Sequence, residues 1–550
     1  MLLRTVFAGT LLTAAAFAQM SSFPKPSYFR ETFQQTKTQV SLRDPVRLKD
    51  FVVSSKLELS LKNYLELVMA NNTDIQVTFL SLETPKNNIT SVYGKWDPTA
   101  SAGFSSTRST TVATNPATQQ TAVLGSTTKS LSQPLNMSYT QALDTGTSYT
   151  VSFGGSKTSS SNTRSSYNPS LSSNMSFAVT QNLIQNRSRY VNRLPLMQAQ
   201  SVYKRAGYSL RSSLLGWIST AENAYWNVIL ARESLKVAVK NRDASKANLD
   251  FVQQQLDLGA VSPLDIYNPQ GQLAAAEVAV SQAEFTLAAS EDALRHQIGA
   301  DLDSDIRKLP IELTEPVDIS TDTLKYDSEK EVEKALATNP SINAAMQQLD
   351  FDNLGIQSAN NGLLPQLSFT ASYSNAGQGG IYIPSQSQLI GAGAAEPIPG
   401  GLADALSQMF GLSNPTYRGS LTLTLPIRNR TASMALANSL VQKKTDALNL
   451  RNTQQGVRLQ TLNAVTNLQG AIESLVLAKK QADIQQKNYD AEKEKYELGT
   501  ETNNNVVIAL QNLGIAESNV VNAQVRVRTS ILTLLTTTGE LLDERGIVVK

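Results

Sequence analysis

The segment 364–374 reads LPQLSFTASYS, and its apolar and hydroxyl side chains alternate along the chain. The odd positions 367–373 carry Leu, Phe, Ala and Tyr, whereas the even positions 368–374 carry only Ser or Thr. The segment 421–430, LTLTLPIRNR, begins with the same alternation. Strict alternation predicts β-strands that have one apolar face and one polar face.

The first half of the chain contains matching segments, in which apolar side chains recur at every second residue: Ala100–Phe104, Leu135–Tyr139, Tyr149–Phe153 and Met175–Val179. Two interpretations fit this alternation. A soluble sandwich has a wet outer face, but it needs several short, evenly spaced strands in each sheet. In a transmembrane barrel the apolar face meets lipid and the hydroxyl face lines a watery lumen. A few strands within an otherwise helical pattern favour the barrel.

The composition excludes several classes of protein. The 550 residues carry a formal net charge of +2, so a basic surface for sequence-independent DNA binding is not expected. The chain has no Cys and a single His, His296, which excludes disulfides, thiol nucleophiles and multi-His metal sites. We therefore expect no enzyme activity, no cofactor and no metal, although carboxylate pairs are not excluded by sequence.

The N-terminus resembles a secretory signal peptide spanning 1–18. Arg4 supplies a positive charge, Val6–Ala18 is apolar, and Ala16-Phe17-Ala18 fits a cleavage site. A short buried helix is the alternative. Downstream we find no run of 18 apolar residues, so no second spanning helix is expected.

The spacing of glycine residues indicates an internal duplication of the chain. Gly259 and Gly299 are 40 residues apart, as are Gly499 and Gly539, and the two pairs are offset by 240. An earlier stretch repeats at an offset of 267, which implies a 27-residue insertion in the first copy. The predicted layout is an extension at 19–56, a first repeat at 57–310, a linker at 311–327 and a second repeat at 328–545.

Each repeat is predicted to hold a short helix, strands, a long helix and a returning helix. In the first repeat these are about 59–93, 98–181, 195–258 and 263–299; in the second they are about 328–361, 365–375 with 417–427, 431–498 and 503–539. The long helices carry heptads in phase between repeats, such as Leu235 with Leu475. About 65 residues give ~95 Å of helix. Gly259 and Gly499 suit the turns, and Pro269 is expected to kink the first returning helix.

Closure of the strands requires several copies of the chain. Four to six strands are too few, because the smallest spanning barrels have about eight. Open strand edges in lipid leave backbone groups unpaired. We expect copies to pool their strands and their helices into one tube.

These features together resemble the TolC-like outer membrane efflux proteins, over about residues 57–545. The resemblance rests on the doubled layout, the two strand segments quoted above and the paired Leu-Gly turns. It implies an α+β membrane protein: a homotrimer with a 12-stranded barrel, four or more strands per chain, continued by a periplasmic helical coiled-coil barrel. It also implies an outer membrane location that extends into the periplasm.

The resemblance implies a function and partners as well. The chain is expected to be a passive exit duct of a tripartite efflux or type I secretion system, with a periplasmic adaptor and an inner membrane transporter as partners and no nucleic acid. The alternative is an exported structural coiled-coil and β adhesion-type protein without a pore. The cargo, the class of pump and the role of the insertion, near 131–157, are left open.

Family positions carry over at the turns. The adaptor-docking tip maps to Leu258, Gly259, Ala260, Leu498, Gly499 and Thr500. Relatives close the aperture through a Tyr before one turn and an Asp after the other, places taken here by Tyr496 and Asp265. Where relatives often carry an Arg that joins this network, the present sequence has Glu501. Where they often carry an acidic ring at the aperture, it has Asn505. The non-functional alternatives are seam packing for Tyr496 and helix-dipole stabilisation for Asp265.

Overall fold

The computed structural model describes residues 46, 48–53, 56–112, 127–161, 166–259, 261–300, 307–318, 326–383 and 396–548. All of them belong to one compact unit, Asp44–Lys550. The predicted signal peptide lies outside the described residues.

Helices make up most of the described chain, together with two short 3₁₀ turns at Leu48–Phe51 and Gly94–Trp96. The α-helices are α1 (Leu61–Asn71), α2 (Thr73–Leu80), α3 (Glu83–Tyr93), α4 (Arg189–Asn192), α5 (Leu194–Asp257), α6 (Tyr267–Gln297), α7 (Ser328–Thr338), α8 (Pro340–Gly362), α9 (Leu402–Phe410), α10 (Arg430–Glu497), α11 (Asn503–Thr538) and α12 (Leu541–Glu544). Among the described residues, no helix has both the length and the apolar character needed to span a bilayer.

The duplication is visible in two matching asparagine caps. The Asn72 side chain accepts the Asp74 N–H (2.9 Å) at the start of α2 and donates to the Gln297 carbonyl (3.1 Å) at the end of α6. In the second repeat Asn339 accepts the Ser341 N–H (2.9 Å) and donates to the Thr537 carbonyl (2.9 Å). One amide therefore starts a helix and ties down the returning helix in each repeat, because its carbonyl and NH₂ groups serve different partners.

The two long helices, α5 and α10, contain 64 and 68 residues, which corresponds to about 96 and 102 Å of helix. α5 packs against α6, and α10 packs against α11, while α5 and α11 also contact each other. Nearer the strands α5 contacts α3 and α8, and α8 contacts α10. Each level therefore has four neighbouring helices, with α10 at one edge and α6 or α3 at the other.

The main core lies where α1, the middle of α5 and the C-terminal residues meet a small sheet. That sheet joins β1 (Val52–Val53), β2 (Lys56–Leu59) and β8 (Ile311–Leu313), with β2 and β8 parallel. Glu222 is buried and pairs with Arg545 (2.6 Å). This ion pair fixes the C-terminal segment to α5, because a buried carboxylate is stable only with a charged partner.

The larger sheet contains seven strands: β3 (Thr99–Phe104), β4 (Thr107–Val112), β5 (Thr127–Ala142), β6 (Thr147–Ser160), β7 (Tyr167–Asn182), β9 (Gln366–Tyr382) and β10 (Pro415–Thr424). Their order is β10-β9-β7-β6-β5-β3, and β4 also pairs with β5. β3 and β4 keep one register against β5 and are interrupted only at 105–106, so they occupy one strand position. The described residues supply six strand positions to this sheet rather than the basic four, and the expectation of four or more strands had left this open.

The sheet has the two faces that the alternation predicts. Apolar side chains such as Phe177, Tyr417 and Leu421 share one face and are exposed in the single chain. The opposite face carries hydroxyl pairs, including Ser152 with Ser176 (2.6 Å) and Thr180 with Thr370 (3.0 Å). A sheet this wide with an exposed apolar face is typical of strands that lie against lipid.

The segment between β9 and β10 contains helix α9, which lies on the apolar face of β7 and β9. Ser173 donates to the Ala405 carbonyl (2.8 Å), and the Asn375 amide donates to the Met409 carbonyl. A Cβ at Gly377 would lie 1.8 Å from the Ala405 carbonyl oxygen. Only glycine therefore allows the helix backbone to approach the strand so closely.

We predict that Gly377→Ala displaces α9 from the sheet and increases chymotrypsin cleavage at Phe410 in isolated membranes. Gly419→Ala is the matched control, because a Cβ there meets nothing within 4 Å on the same face. Equal cleavage rates for the two variants would contradict the proposed steric role of Gly377.

Candidate functional site

The candidate site is formed by the two turns that end the long helices. Gly259 (φ +69°) and Gly499 (φ +77°) both adopt the left-handed conformation. Their N–H groups donate to the carbonyls of Leu256 and Tyr496, each at 2.9 Å, and Thr500 N–H closes the second turn on the Lys495 carbonyl (3.0 Å). Both turns are glycine-dependent helix ends, because other residues adopt this backbone conformation only with strain.

The turns present apolar side chains to the surroundings. Leu258 is 84% exposed and Leu498 is 72% exposed, and Leu264 after the first turn is also exposed. Of the predicted tip residues, Ala260 lies outside the described ones. The described tip surface comprises Leu258, Gly259, Leu498, Gly499 and Thr500. Leucines this exposed are suited to contact another apolar surface.

Tyr496 connects the two long helices close to the turns. Its hydroxyl donates to Gln255 Oε1 (2.6 Å), and its ring packs edge-on against Phe251 at 5.7 Å between centroids. Burial, followed by the negative charge of Asp265, raises the pKa of the Tyr496 phenol. The hydroxyl therefore remains a proton donor throughout the neutral pH range.

Asp265 has a local role within the chain. Its Oδ2 accepts the Ser262 N–H (3.0 Å), while Ser262 Oγ accepts the Leu264 N–H (3.3 Å). The expected partner of Tyr496 within one chain is thus replaced by Gln255, and Asp265 contributes its charge rather than a hydrogen bond to Tyr496. Pro269 lies in the first turn of α6, where no intrahelical N–H bond is needed, so the expected kink is wrong.

The second turn carries a separate polar contact. Glu501 Oε2 accepts from the Asn505 side chain (2.7 Å) and from the Thr502 N–H (3.3 Å). These two predicted gate residues therefore contact each other directly. The arrangement fixes the start of α11, since the carboxylate satisfies a backbone donor at a helix N-terminus.

Sequence reasoning missed several residues that link the paired helices. Gln255 and Phe251 form the immediate surroundings of Tyr496 but lie outside the heptad positions. Asn268 donates to Asn504 (3.0 Å), and Gln511 donates to Gln272 (2.6 Å), which joins α6 to α11. The only available signal was the density of Asn and Gln, which does not specify pairs. Within the described residues no group of three or more His, Asp or Glu is arranged to hold a metal ion.

Comparison with known proteins agrees with this geometry. The family model for outer membrane efflux proteins matches residues 332–540. The chain is 25% identical over 360 residues to the outer membrane protein TolC of Vibrio cholerae, covering 65% of this chain and 75% of that protein.

Solved structures share the fold. The chain resembles CusC with a TM-score of 0.61 at 15% identity, covering 92% of this chain and 98% of that chain. The Campylobacter jejuni CmeC outer membrane channel gives 0.58 at 16% identity, with 92% and 90% covered. VceC of Vibrio cholerae gives 0.59 at 13% identity, with 87% and 96% covered.

The sheet with lipid-type and hydroxyl faces, continued by ~100 Å helices, defines a membrane duct. The second repeat, within residues 332–540, matches the outer membrane efflux protein family, and the chain as a whole resembles these proteins in fold. An outer membrane exit duct is the function that this similarity supports.

We predict that Gly499→Ala destabilises the second turn by about 1 kcal/mol, because the left-handed conformation strains any side chain. Hydrogen exchange of the amides at 498–502 should become faster. Gly216→Ala, at an exposed position within α5 where a Cβ meets nothing, should instead raise helix stability by about 1 kcal/mol. Slower exchange at the turn of the Gly499 variant would refute the assignment.

Proposed function

We propose that three copies of the chain form a closed ring, a β-barrel continued by a helical barrel, which docks a periplasmic adaptor through its tip and thereby serves an inner membrane transporter. The observation that carries this proposal is the position of the unpaired surfaces. They lie at the same two edges of the chain in the sheet and in the helices.

The edge helix α10 has two heptad stripes. One stripe, including Leu468 and Leu475, is buried within the chain. A second stripe is exposed at seven-residue spacing, at Met434, Val441 and Leu448 and again at Leu477 and Ile484. A second apolar seam on a coiled-coil helix indicates another helix beside it. The described part of the chain does not place a helix there, so a neighbouring copy is the natural source.

The opposite edge offers a matching surface. In α6 the side chains of Val278 and Phe285 are seven residues apart and exposed. A contact between α10 of one copy and α6 of the next uses different surfaces on the two partners. Such heterologous contacts generate closed rings when the rotation between copies closes.

The edge strands of the sheet lie next in sequence to the edge helices. β3 with β4 follows the edge helix α3, and β10 leads directly into the edge helix α10. Unpaired backbone groups at both edges would cost several kcal/mol each in lipid. Joining β10 of one copy to β3 and β4 of the next satisfies these groups in the same ring that pairs the helices.

The hydroxyl face then lines the lumen. Its depressions are lined by Asn136, Ser152, Gly154 and Asn174. Apolar side chains on the other face meet lipid. A structural adhesion-type protein without a pore has no need for one continuous polar face opposite an apolar face, so the duct accounts for the sheet better.

The tip surface supplies the adaptor contact, and Tyr496, Asp265, Glu501 and Asn505 form the gate in this proposal. Support comes from the exposed leucines of the turns and from the hydrogen bond that couples Tyr496 to α5. A neutral hydrogen bond contributes about 1 kcal/mol, enough to shift an open–closed equilibrium about fivefold.

The ring can be tested at the helix edges. We predict that Ile484→Glu abolishes the trimer in detergent, because a carboxylate would be buried without a partner in the seam. Ile515→Glu is the control, because Ile515 lies on α11, which is not an edge helix. This variant should leave the trimer intact, although the Ile515 side chain (60% exposed) is about as exposed as that of Ile484 (52%). Native mass spectrometry measures the oligomeric state of both variants. Loss of the trimer in both would contradict the assignment of α10 as the edge that contacts the next copy.

The gate can be tested electrically. We predict that Asp265→Ala combined with Tyr496→Phe raises the single-channel conductance of the closed form in planar bilayers by up to about fivefold. Glu501→Lys should have a smaller effect. If the ranking is reversed, Glu501 rather than the Tyr496 contact holds the closed state, and unchanged conductance in all variants would remove the gate.

A further inference from the structure

We propose that the barrel of this duct has 18 strands, six from each chain, and that its bore passes hydrophilic solutes too large for a 12-stranded barrel. The inference rests on the proposed three-copy ring. It depends on the hairpin of β5 and β6, the insertion that the repeat offsets locate in the first copy.

The inserted hairpin is part of the sheet rather than an appendage. β5 pairs with β3 and β4 on one side and with β6 on the other, and β6 pairs with β7 from Thr147 to Thr158. Removing the hairpin from the sheet would break the ladder between β3 and β7. Its turn is tight: Leu143 N–H donates to the Thr147 carbonyl (2.8 Å), and Gly146 has a φ of +79°.

Both faces of the hairpin continue those of its neighbours. On the hydroxyl face Ser138 contacts Ser101 (2.8 Å), and Ser156 contacts Ser172 (2.7 Å). The apolar face carries side chains such as Met137, Val151 and Phe153, in register with Met175 or Phe177 on β7. A hairpin outside the membrane would have no reason to keep a lipid-type face at the same level as the other strands.

The width of six strands fits the helices beneath them. At ~4.8 Å between strands and a tilt of ~40°, six strands occupy ~38 Å of circumference, whereas four occupy ~25 Å. Four helices at ~8–10 Å spacing occupy ~32–40 Å. Six strands therefore occupy about the same arc of the circumference as the four helices of one chain. Four strands would occupy a shorter arc, so the tube would narrow from the helices to the strands.

The predicted bore follows from the strand count. Three chains give 18 strands and a backbone diameter of ~36 Å, against ~24 Å for 12 strands at the same tilt. The lining is mostly hydroxyl and amide groups. Among the described strands of this sheet, Arg418, opposite Ser372, is the one charged residue on that face. Such a lining suits large, uncharged or weakly anionic hydrophilic solutes.

Cysteine labelling tests whether the hairpin lies in the barrel wall, and the natural absence of Cys removes any background. Ser152→Cys should react with a water-soluble maleimide in whole cells, because it faces the lumen. Phe153→Cys should be protected by lipid. Equal reactivity of the two would place the hairpin outside the wall and overturn the inference.

Polymer exclusion then measures the bore of the full-length protein in planar bilayers. Polyethylene glycols of graded size, added on the extracellular side, should enter the native channel up to a diameter about 1.5 times the limit of a variant that lacks 127–160. The deletion keeps the antiparallel order, because β4 runs opposite to β7. An equal size limit in both proteins would overturn the proposal.

Counting strands by electron microscopy of the native protein in nanodiscs keeps the inference testable if the deletion variant does not fold. Eighteen strands in a trimer support it, whereas 12 strands, in a trimer or in a dimer of six-stranded chains, overturn it while leaving the duct intact. Absence of any conductance would instead refute the duct itself.

Discussion

The backbone hydrogen bonds at the two open edges of the sheet are the constraint on which the structure depends. The described residues supply six strand positions, and among them β10 and β3 with β4 have no strand on their outer sides. In water such edges are tolerable, but in lipid each unpaired group costs several kcal/mol. An exposed apolar face prevents the sheet from remaining in water. In the proposed ring the edges are satisfied by neighbouring copies of the chain, and the lumen is a consequence of satisfying them.

The helices also leave a surface uncovered at the edge of the chain, but this surface is apolar side chains rather than backbone hydrogen-bonding groups. α10 buries one heptad stripe against α11 and leaves a second one exposed, which the proposed ring covers with a neighbouring copy. Strands and helices end at the same edges because α3 leads into β3 and β10 leads into α10. In the proposed ring a single rotation between copies therefore pairs both the strands and the helices. The asparagine caps at Asn72 and Asn339 maintain this relation in each repeat by attaching the returning helix to the short helices.

The turns occupy the far end of the helices, where few residues hold them. Gly259 and Gly499 fix the backbone, while Tyr496 is held by one hydrogen bond to Gln255 and by the ring of Phe251. Contacts of this size can be broken at a cost of about 1–2 kcal/mol. A partner that binds the exposed leucines could therefore shift the equilibrium at the tip, which is the property required of a gate.

The sequence alone determined the two-faced strands, the long helices and their glycine turns, because these depend on residue periodicity and on local backbone preference. Alternation at 367–373 and heptads such as Leu468 and Leu475 required no tertiary information. Only the tertiary structure decided three other features. These are the close packing of α9 on Gly377, the hydrogen-bond partner of Tyr496 and the place of the inserted hairpin in the sheet. Each depends on which segments meet across long sequence separations, and one Asn, Gln or Ser offers hydrogen bonds to many partners. Local pattern specifies the elements, whereas the pairing between distant elements fixes how many strands the described chain contributes to the sheet.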